Sequence, residues 1–267
     1  MLLTLSTRTF EGRDLCAAPA ANGETTFLNL PDYAIRHLQL RGLNVPASML
    51  AGWPVSDLDR LRDHADKAGC PCLVLIEDQP LPFGSASQAK RDAAAERVGR
   101  LAQAAHRLGC NAVSIMCEAA DDEESFDLVA ASVKAVMPAV ERMELNLLLA
   151  PTAGLTFDPE RLTDLIKRIG GFRIGSLPSF AHAAETGDVV GALRKLAPYA
   201  GAVHVSIAGF DQSGAHDGYD LAECVEAIRS VGFVNTLAID FVGSGDPTEA
   251  VEQAREVLAA AIEDDGK

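Results

Sequence analysis

Residues 202–207 have the sequence Ala-Val-His-Val-Ser-Ile, an almost uninterrupted apolar run with three β-branched residues. Seven other runs of similar length and character occur along the chain. Such runs are typical of strands in a parallel sheet that is buried on both faces. They predict eight parallel strands, at 2–6, 43–48, 72–76, 112–117, 145–149, 172–175, 202–207 and 236–241.

Helical signals occupy the segments between these runs. Asp158-Pro159 and Asp246-Pro247 each place an N-cap residue before a proline that fits the first helical turn. Other helices are predicted to end at a glycine, which adopts the left-handed conformation of a C-cap without strain. These glycines are Gly69, Gly109 and Gly232. Strands and helices are therefore expected to alternate through most of the chain.

This alternation predicts an α/β protein built as one eight-stranded parallel (β/α)8 TIM barrel. A chain of 267 residues suits that fold, which takes about 250 residues as a single domain. An open doubly wound sheet uses the same alternation, but no Gly-x-Gly-x-x-Gly motif follows the first strand. We expect one domain at 1–262 and a disordered C-terminal tail at 263–267.

Charge and composition exclude several classes of partner. The net charge of −15 would repel a phosphate backbone, so nucleic acid is not an expected partner. No apolar run reaches membrane-spanning length and the N-terminus lacks a signal-peptide pattern, so we expect a cytoplasmic protein without membrane contact. The six cysteines lie in predicted core segments, where reduced, buried thiols are expected.

Polar residues follow the predicted strands at their carboxyl ends, where a TIM barrel carries its chemistry. Asp240 and His204 are the expected catalytic residues, because a carboxylate and an imidazole can transfer protons and can ligate a metal ion. Ser6 and Arg8 stand at the same rim. The expected substrate-binding residues are Glu77, Ser179, His182, Ser206 and Trp53. Trp53 either stacks on a sugar ring or packs within its own loop.

The order and spacing of five segments carry a resemblance to a known family. These segments are LAQAAHRLGC at 101–110, LNLLLA at 145–150, GSLPSF at 175–180, LAPYAGAVHV at 196–205 and TLAIDF at 236–241. Over nearly its whole length the chain resembles the xylose-isomerase-like barrel family. That family contains sugar and sugar-phosphate isomerases and epimerases, inosose-processing enzymes and a branch of DNA-repair endonucleases.

The resemblance implies a metal site that this chain carries only in part. Family members usually have Glu, Asp, His and Glu at the ends of strands five to eight, where they hold a divalent cation between two proton-transferring carboxylates. The matching residues here are Ala150, Ser179, His204 and Asp240. Two carboxylates that would bind Mg²⁺ or Mn²⁺ are therefore absent, and Ser206 stands where lysine is common. We expect a divalent cation to bind weakly or not at all.

Two interpretations of the histidines remain open. In the first, His182 and His204 rebuild a site for Zn²⁺ or Mn²⁺ with Asp240 and with either Glu77 or the pair His216-Asp217. In the second, His204 is a hydrogen-bonded residue at a strand end and His182 is an exposed loop residue. Neither interpretation needs the two missing carboxylates.

Two functions from different classes follow. The leading one is isomerisation or epimerisation of a small sugar, sugar phosphate or polyol by proton transfer, with Asp240 as acid and base and His204 polarising the substrate. The alternative is a barrel that no longer catalyses and that binds a metabolite or partners an active paralogue. In both cases the expected ligand is sugar-like, and a homo-oligomer is compatible with either. DNA repair is disfavoured by the acidic charge and by missing histidines.

Overall fold

The computed structural model describes residues 1–12 and 26–263. Its centre is a sheet of eight parallel strands, which confirms the predicted fold class. The strands are β1 (Leu2–Ser6), β2 (Leu43–Pro46), β3 (Cys72–Ile76), β4 (Ala112–Ile115), β5 (Asn146–Leu149), β6 (Ile174–Ser176), β7 (Ala202–Ile207) and β8 (Thr236–Phe241).

Helices connect the strands and cover the outside of the sheet. They are α1 (Leu30–Arg36), α2 (Val55–Ala68), α3 (Gln88–Leu108), α4 (Glu123–Glu141), α5 (Pro159–Ile169), α6 (Phe180–Glu185), α7 (Val189–Leu196), α8 (Leu221–Arg229) and α9 (Pro247–Glu263). Short 3₁₀ segments, Thr7–Phe10 and Ala47–Leu50, follow β1 and β2. A helix in each crossover allows consecutive strands to run parallel.

The sheet closes into a barrel between β6 and β7. The hydrogen-bonded strand order is β6-β5-β4-β3-β2-β1-β8-β7. The two outer strands then meet at bridges between Ser176 and Ala200 and between Ser179 and His204. The backbone N–H of His204 donates to the carbonyl of Pro178 at 2.9 Å. All eight carboxyl strand ends therefore lie around one mouth.

Local signals explain where the helices begin and end. Asp122, Asp158 and Asp220 each accept hydrogen bonds from backbone N–H groups in the first turn of a helix. Gly69 and Gly109 end α2 and α3 in the left-handed conformation, with φ of 70° and 78°. The predicted N-cap at Asp158 and the C-caps at Gly69 and Gly109 are confirmed, since capping chemistry depends on nearby residues only. The predicted C-cap at Gly232 is wrong, because α8 already ends at Arg229 with Ser230 as its C-cap.

The barrel interior changes from apolar to polar towards the carboxyl mouth. One part of it is filled by a small apolar cluster of Val74, Ala112, Leu148, Leu177 and Ala202. Nearer the mouth the buried side chains are polar, and they include Ser6, Asn44, Ser114, His204 and Asp240. Because buried polar groups require partners, this half of the barrel is built for contacts other than apolar packing.

Four strands differ from their predicted bounds: β4 ends at Ile115, β5 begins at Asn146, and β2 and β6 differ at adjacent turns. β2 ends at Pro46 because the chain turns directly into the segment Ala47–Leu50. β6 begins at Ile174, and Phe172, predicted as a strand residue, is fully exposed. Gly170 and Gly171 adopt positive φ angles of 72° and 103°, so the chain is still turning after α5 where the strand was expected to start.

Other predictions concern the C-terminus, the cysteines and the membrane. Helix α9 extends through Glu263, and the rest of the predicted tail, 264–267, lies outside the described residues. Cys70, Cys72, Cys110, Cys117 and Cys224 are free and buried as expected, whereas Cys16 also lies outside the described part. Within 1–12 and 26–263, no helix has both the length and the apolar character needed to cross a membrane.

Candidate active site at the carboxyl mouth

A cavity of about 160 Å³ opens at the carboxyl mouth, and its lining comes from the ends of all eight strands. Ala150, Ser179, His204 and Asp240 converge on it, as predicted for strands five to eight. The other polar lining residues are Ser6, Arg8, Glu77, Asp78 and Ser206. A larger cavity of about 640 Å³ lies at the amino ends of the strands, but TIM barrels place their catalytic groups at the carboxyl ends.

Asp240 forms an ion pair with Arg8 inside this cavity. Asp240 in β8 is completely buried, and Arg8 Nε lies 3.4 Å from Oδ1 while a terminal nitrogen of Arg8 contacts Oδ2. The Phe241 N–H donates to Thr9 Oγ1 at 3.0 Å, which holds the segment after β1 against β8. Burial lowers the pKa of Arg8, but the hydrogen bond to Asp240 together with the charges of Asp240, Asp78 and Glu11 raises that pKa overall.

The ring of His204 is held by a hydrogen bond to a residue of β2, which is not adjacent to β7 in the sheet. Its Nε2 lies 3.1 Å from Nδ2 of Asn44 in β2. With Asn44 as the donor, the ring hydrogen of His204 is on Nδ1. Burial is the main reason why the pKa of His204 is lowered, with Asp240 opposing this change and Arg8 adding to it. At neutral pH His204 is therefore an uncharged imidazole that can donate or accept a hydrogen bond.

The wall after β3 carries two more carboxylates. Glu77 is buried, and its Oε2 accepts a hydrogen bond from Arg97 Nε at 2.5 Å. Asp78 Oδ2 accepts the Ser48 N–H at 3.2 Å, whereas Asp78 Oδ1 is buried without a partner in the described part of the chain. Ser6 Oγ is also buried without a hydrogen-bond partner in the described part of the chain. Buried polar atoms without partners are the atoms that a bound molecule can satisfy.

The wall formed by β5 and β6 is poorer in charge. Ala150 contributes only a methyl group. Ser179 Oγ accepts the backbone N–H of His182 at 3.1 Å and is the N-cap of α6. The hydroxyl of Ser179 therefore has a structural task, although the residue also lines the cavity together with Ser206 of β7.

His182 and Trp53 do not reach this cavity. His182 lies in α6 with Nε2 2.8 Å from the carbonyl of Phe157, so the interpretation of an exposed loop residue is wrong: the helix buries the ring. This burial lowers the pKa of His182. Trp53 packs edge-on against Phe27, with ring centroids 5.5 Å apart, and borders a separate groove between α2 and α3. Neither side chain lines the cavity, so a role of His182 or Trp53 in substrate binding stays a prediction.

A sequence model of the family described as "Xylose isomerase-like TIM barrel" matches residues 34–261. The chain belongs to this family. No curated protein sequence matches it. Membership agrees with the resemblance seen in the sequence segments and with the closed parallel barrel.

Solved structures with the same fold include sugar epimerases. An L-ribulose 3-epimerase is 17% identical with a TM-score of 0.80, over 98% of this chain and 96% of that one. A 3-keto-D-glucoside 4-epimerase from E. coli is 13% identical, with a TM-score of 0.75 over 97% and 99% of the two chains. A D-psicose 3-epimerase from Clostridium cellulolyticum H10 is 14% identical, with a TM-score of 0.75 over 98% and 97%.

Membership of the xylose isomerase-like family implies a divalent cation, and the residues of this cavity do not fit one. In the described part of the chain, no three side chains of His, Cys, Asp or Glu are grouped so that they could hold a metal ion. Asp240 already faces the guanidinium of Arg8, and His204 Nε2 faces Asn44. A cation placed beside Asp240 would meet a positive charge in place of a second carboxylate.

The rebuilt metal site is not formed either. His182 is bonded to the Phe157 carbonyl and Glu77 to Arg97. His216 accepts the Ala208 N–H at 3.2 Å and contacts the Tyr219 ring. Each of these three side chains therefore has another partner, and neither His216 nor Asp217 lines the cavity.

The main residue that the sequence interpretation missed is Arg8. Its position two residues after β1 placed it at the predicted rim, but only the closed barrel brings it to Asp240, 232 positions later. Asn44 was missed for a related reason, because an asparagine inside an apolar strand gives no indication of its partner. Its presence in a buried strand was nevertheless a signal, since a buried amide needs hydrogen bonds.

Proposed function

We propose that the cavity binds a small sugar or polyol and that the protein catalyses isomerisation or epimerisation by proton transfer without a divalent cation. The observation that carries this proposal is the convergence of Asp240, His204 and Ser206 with the unpartnered Ser6 Oγ on one small polar cavity. Family membership and the epimerases among the structural neighbours support the same class of substrate.

Asp240 is the proposed acid and base. Its contact from Oδ1 to Arg8 Nε is long, at 3.4 Å, so Oδ1 keeps a lone pair able to take a proton from carbon. Neutral His204 on the adjacent strand can hold a substrate oxygen by a hydrogen bond from Nδ1. With Ala150 at the end of β5, the second carboxylate that family members use for two-base inversion is absent. Asp240 then removes the proton and returns it on the same face to the neighbouring carbon, as in an isomerisation.

Solvent exchange tests this proposal directly. The chelator-treated protein is incubated in D₂O with L-ribulose, D-psicose, D-tagatose or D-fructose, and deuterium incorporation next to the carbonyl is followed by NMR. We expect incorporation into at least one sugar. Asp240→Asn should reduce its rate by at least about a hundredfold, whereas Asp164→Asn, an exposed residue on α5, should leave the rate unchanged.

A second candidate is a barrel that binds its ligand without catalysis. Both strongly buried carboxylates of the cavity, Asp240 and Glu77, are paired with a guanidinium, and this pairing favours a structural use of their charges. The same sugars would then bind, as seen by ligand-observed NMR, without incorporation of deuterium. A protein that neither exchanges nor binds any of them would contradict both functions.

A further inference from the structure

We propose that Arg8 takes over the role of the divalent cation: its guanidinium is the resident positive charge of the site and holds two adjacent oxygens of the ligand. The position of this charge is inferred from the geometry of the cavity alone. The ligand chemistry, an α-hydroxy carbonyl, rests on the proposed function. Asp240 is the residue that corresponds to a family metal ligand, and Arg8 is its partner here.

The balance of charges in the cavity supports this role. Among the lining residues that the structure describes, Arg8 is the one cation, and Glu77, Asp78 and Asp240 are carboxylates. Arg97 offsets Glu77 from outside the lining. Asp240 is completely buried and depends on Arg8 for charge compensation, as a carboxylate in a metal site depends on its ion.

The unused donors of Arg8 define what it can hold. A guanidinium carries five N–H groups, and Asp240 takes one from Nε and one from a terminal nitrogen. The remaining N–H groups have no partner in the described part of the chain. The side chain is 48% exposed, and Arg8 is one of the residues that line the cavity. Its outer edge presents parallel donors, which fit two neighbouring oxygens.

A carbonyl and the hydroxyl next to it form such an oxygen pair. When a proton leaves the carbon that bears the hydroxyl, negative charge develops on the neighbouring carbonyl oxygen, and a fixed donor with positive charge stabilises it. Asp240 holds the Arg8 guanidinium, and the Glu11 N–H holds the Arg8 backbone by donating to its carbonyl at 2.9 Å. Because Arg8 is part of the chain, a chelator cannot remove this positive charge as it would remove a metal ion.

The first experiment tests the position of the charge without any sugar. Ala150→Glu with Ser179→Asp restores two carboxylates, and Mn²⁺ binding is measured by electron paramagnetic resonance. We expect no Mn²⁺ binding while Arg8 is present, because Arg8 occupies the cation's place. Adding Arg8→Met should make Mn²⁺ bind at least about tenfold more tightly. Thermal melting of each variant establishes that it is folded, and Arg8→Gln repeats the test.

Two outcomes overturn the inference. Equal Mn²⁺ affinity with and without Arg8 would mean that Arg8 does not occupy the cation's place. Absence of Mn²⁺ binding in all folded variants would mean that these strand ends and Arg8 do not share one cation site. Neither outcome bears on sugar turnover, so failure here is distinct from failure of the proposed function.

The second experiment tests the contact with the ligand, using any sugar that exchanges in D₂O. Arg8→Lys keeps the charge but loses the fork of donors, and it should lower the exchange rate at least about tenfold. Added guanidinium chloride should partly restore exchange in Arg8→Ala but not in Asp240→Asn, which a merely structural role of Arg8 would not produce. Unchanged exchange in Arg8→Lys, or rescue of neither variant, would overturn the assignment of Arg8 to the ligand.

Discussion

The two halves of the barrel mouth differ in how they use charge. On the β5–β6 half, Ala150 is apolar and the Ser179 hydroxyl caps α6. On the β8–β1 half, Asp240 is completely buried against Arg8. Both halves belong to the same xylose isomerase-like fold, so the barrel tolerates loss of charge on one side while it retains an ion pair on the other.

A carboxylate at a strand end can therefore remain in the barrel when a chain cation such as Arg8 pairs with it. A buried carboxylate must be compensated, by a metal or by another cation. Once the β5–β6 half lacks its carboxylates, the compensation has to come from the chain, and Arg8 provides it across the β1–β8 seam.

The largest effect on stability is expected from replacing Arg8, the exposed partner of the Arg8–Asp240 pair. Arg8→Met should lower the free energy of unfolding by about 3 kcal/mol, because it leaves the completely buried Asp240 carboxylate uncompensated. Asp240→Asn should cost only about 1 kcal/mol, since Arg8 is 48% exposed and can turn to water. Urea unfolding of both variants measures the difference.

The double variant is the internal control for this asymmetry. Arg8→Met with Asp240→Asn contains no unpaired charge and should be more stable than Arg8→Met alone. If Asp240→Asn lowers the free energy of unfolding more than Arg8→Met does, an uncompensated buried carboxylate is not the cause of the destabilisation.

The pH dependence should come from histidines on both halves. Burial is the leading reason that the pKa values of His182, His204 and His216 are lowered. As the pH falls below about 6.5, the unfolded state takes up protons before the folded state does. Stability should thus be complete above that pH and decrease below it. Urea midpoints from pH 8 to pH 5 measure this slope.

His182→Gln should make this slope shallower, because one buried group no longer gains a proton on unfolding. A flat profile for the native protein between pH 7 and pH 5 would contradict the assignment of these histidines as buried and neutral. The change in slope for His182→Gln gives the contribution of the β5–β6 half, because the His182 N–H donates to Ser179 Oγ. His204 interacts with Asp240 and contributes to the slope that remains.

A smaller effect is expected on the β5–β6 half. Ser179→Ala removes the N-cap of α6 and should lower the free energy of unfolding by about 1 kcal/mol. Ser179→Asp keeps a capping oxygen and should remain within about 0.5 kcal/mol of the native protein. Equal losses for both variants would show that the serine hydroxyl is not the cap, and urea unfolding distinguishes the two results.

The fold could be predicted from the sequence because its signals are local. Each strand is an apolar run, and several helix ends carry their own capping residue, as at Asp158 and Gly69. The predicted boundaries at Ser48 and Phe172 were wrong because turns next to these strands include the last or first predicted residues. Such turns depend on backbone angles that an apolar pattern does not encode.

The site could be predicted only in part. Barrel topology brings Ala150, Ser179, His204 and Asp240 to one mouth regardless of their side chains, and this was predicted. The partners were not, because Arg8 and Asp240 are separated by 232 positions and meet only when β1 pairs with β8. His182 was misplaced because the helix that buries it is only six residues long, too short for a periodic signal.

The smallest effect is expected at Trp53, which belongs to neither half. The cavity is lined by strand ends, whereas Trp53 packs against Phe27. Trp53→Phe should therefore change the affinity for any sugar that binds by less than about twofold, as for a distant site. Ser6→Ala removes an unpartnered hydroxyl from the cavity itself and should weaken the same binding more. Affinities from ligand-observed NMR decide between them: if Trp53→Phe is the more damaging change, the sugar stacks on Trp53 and the binding site extends beyond the two halves of the mouth.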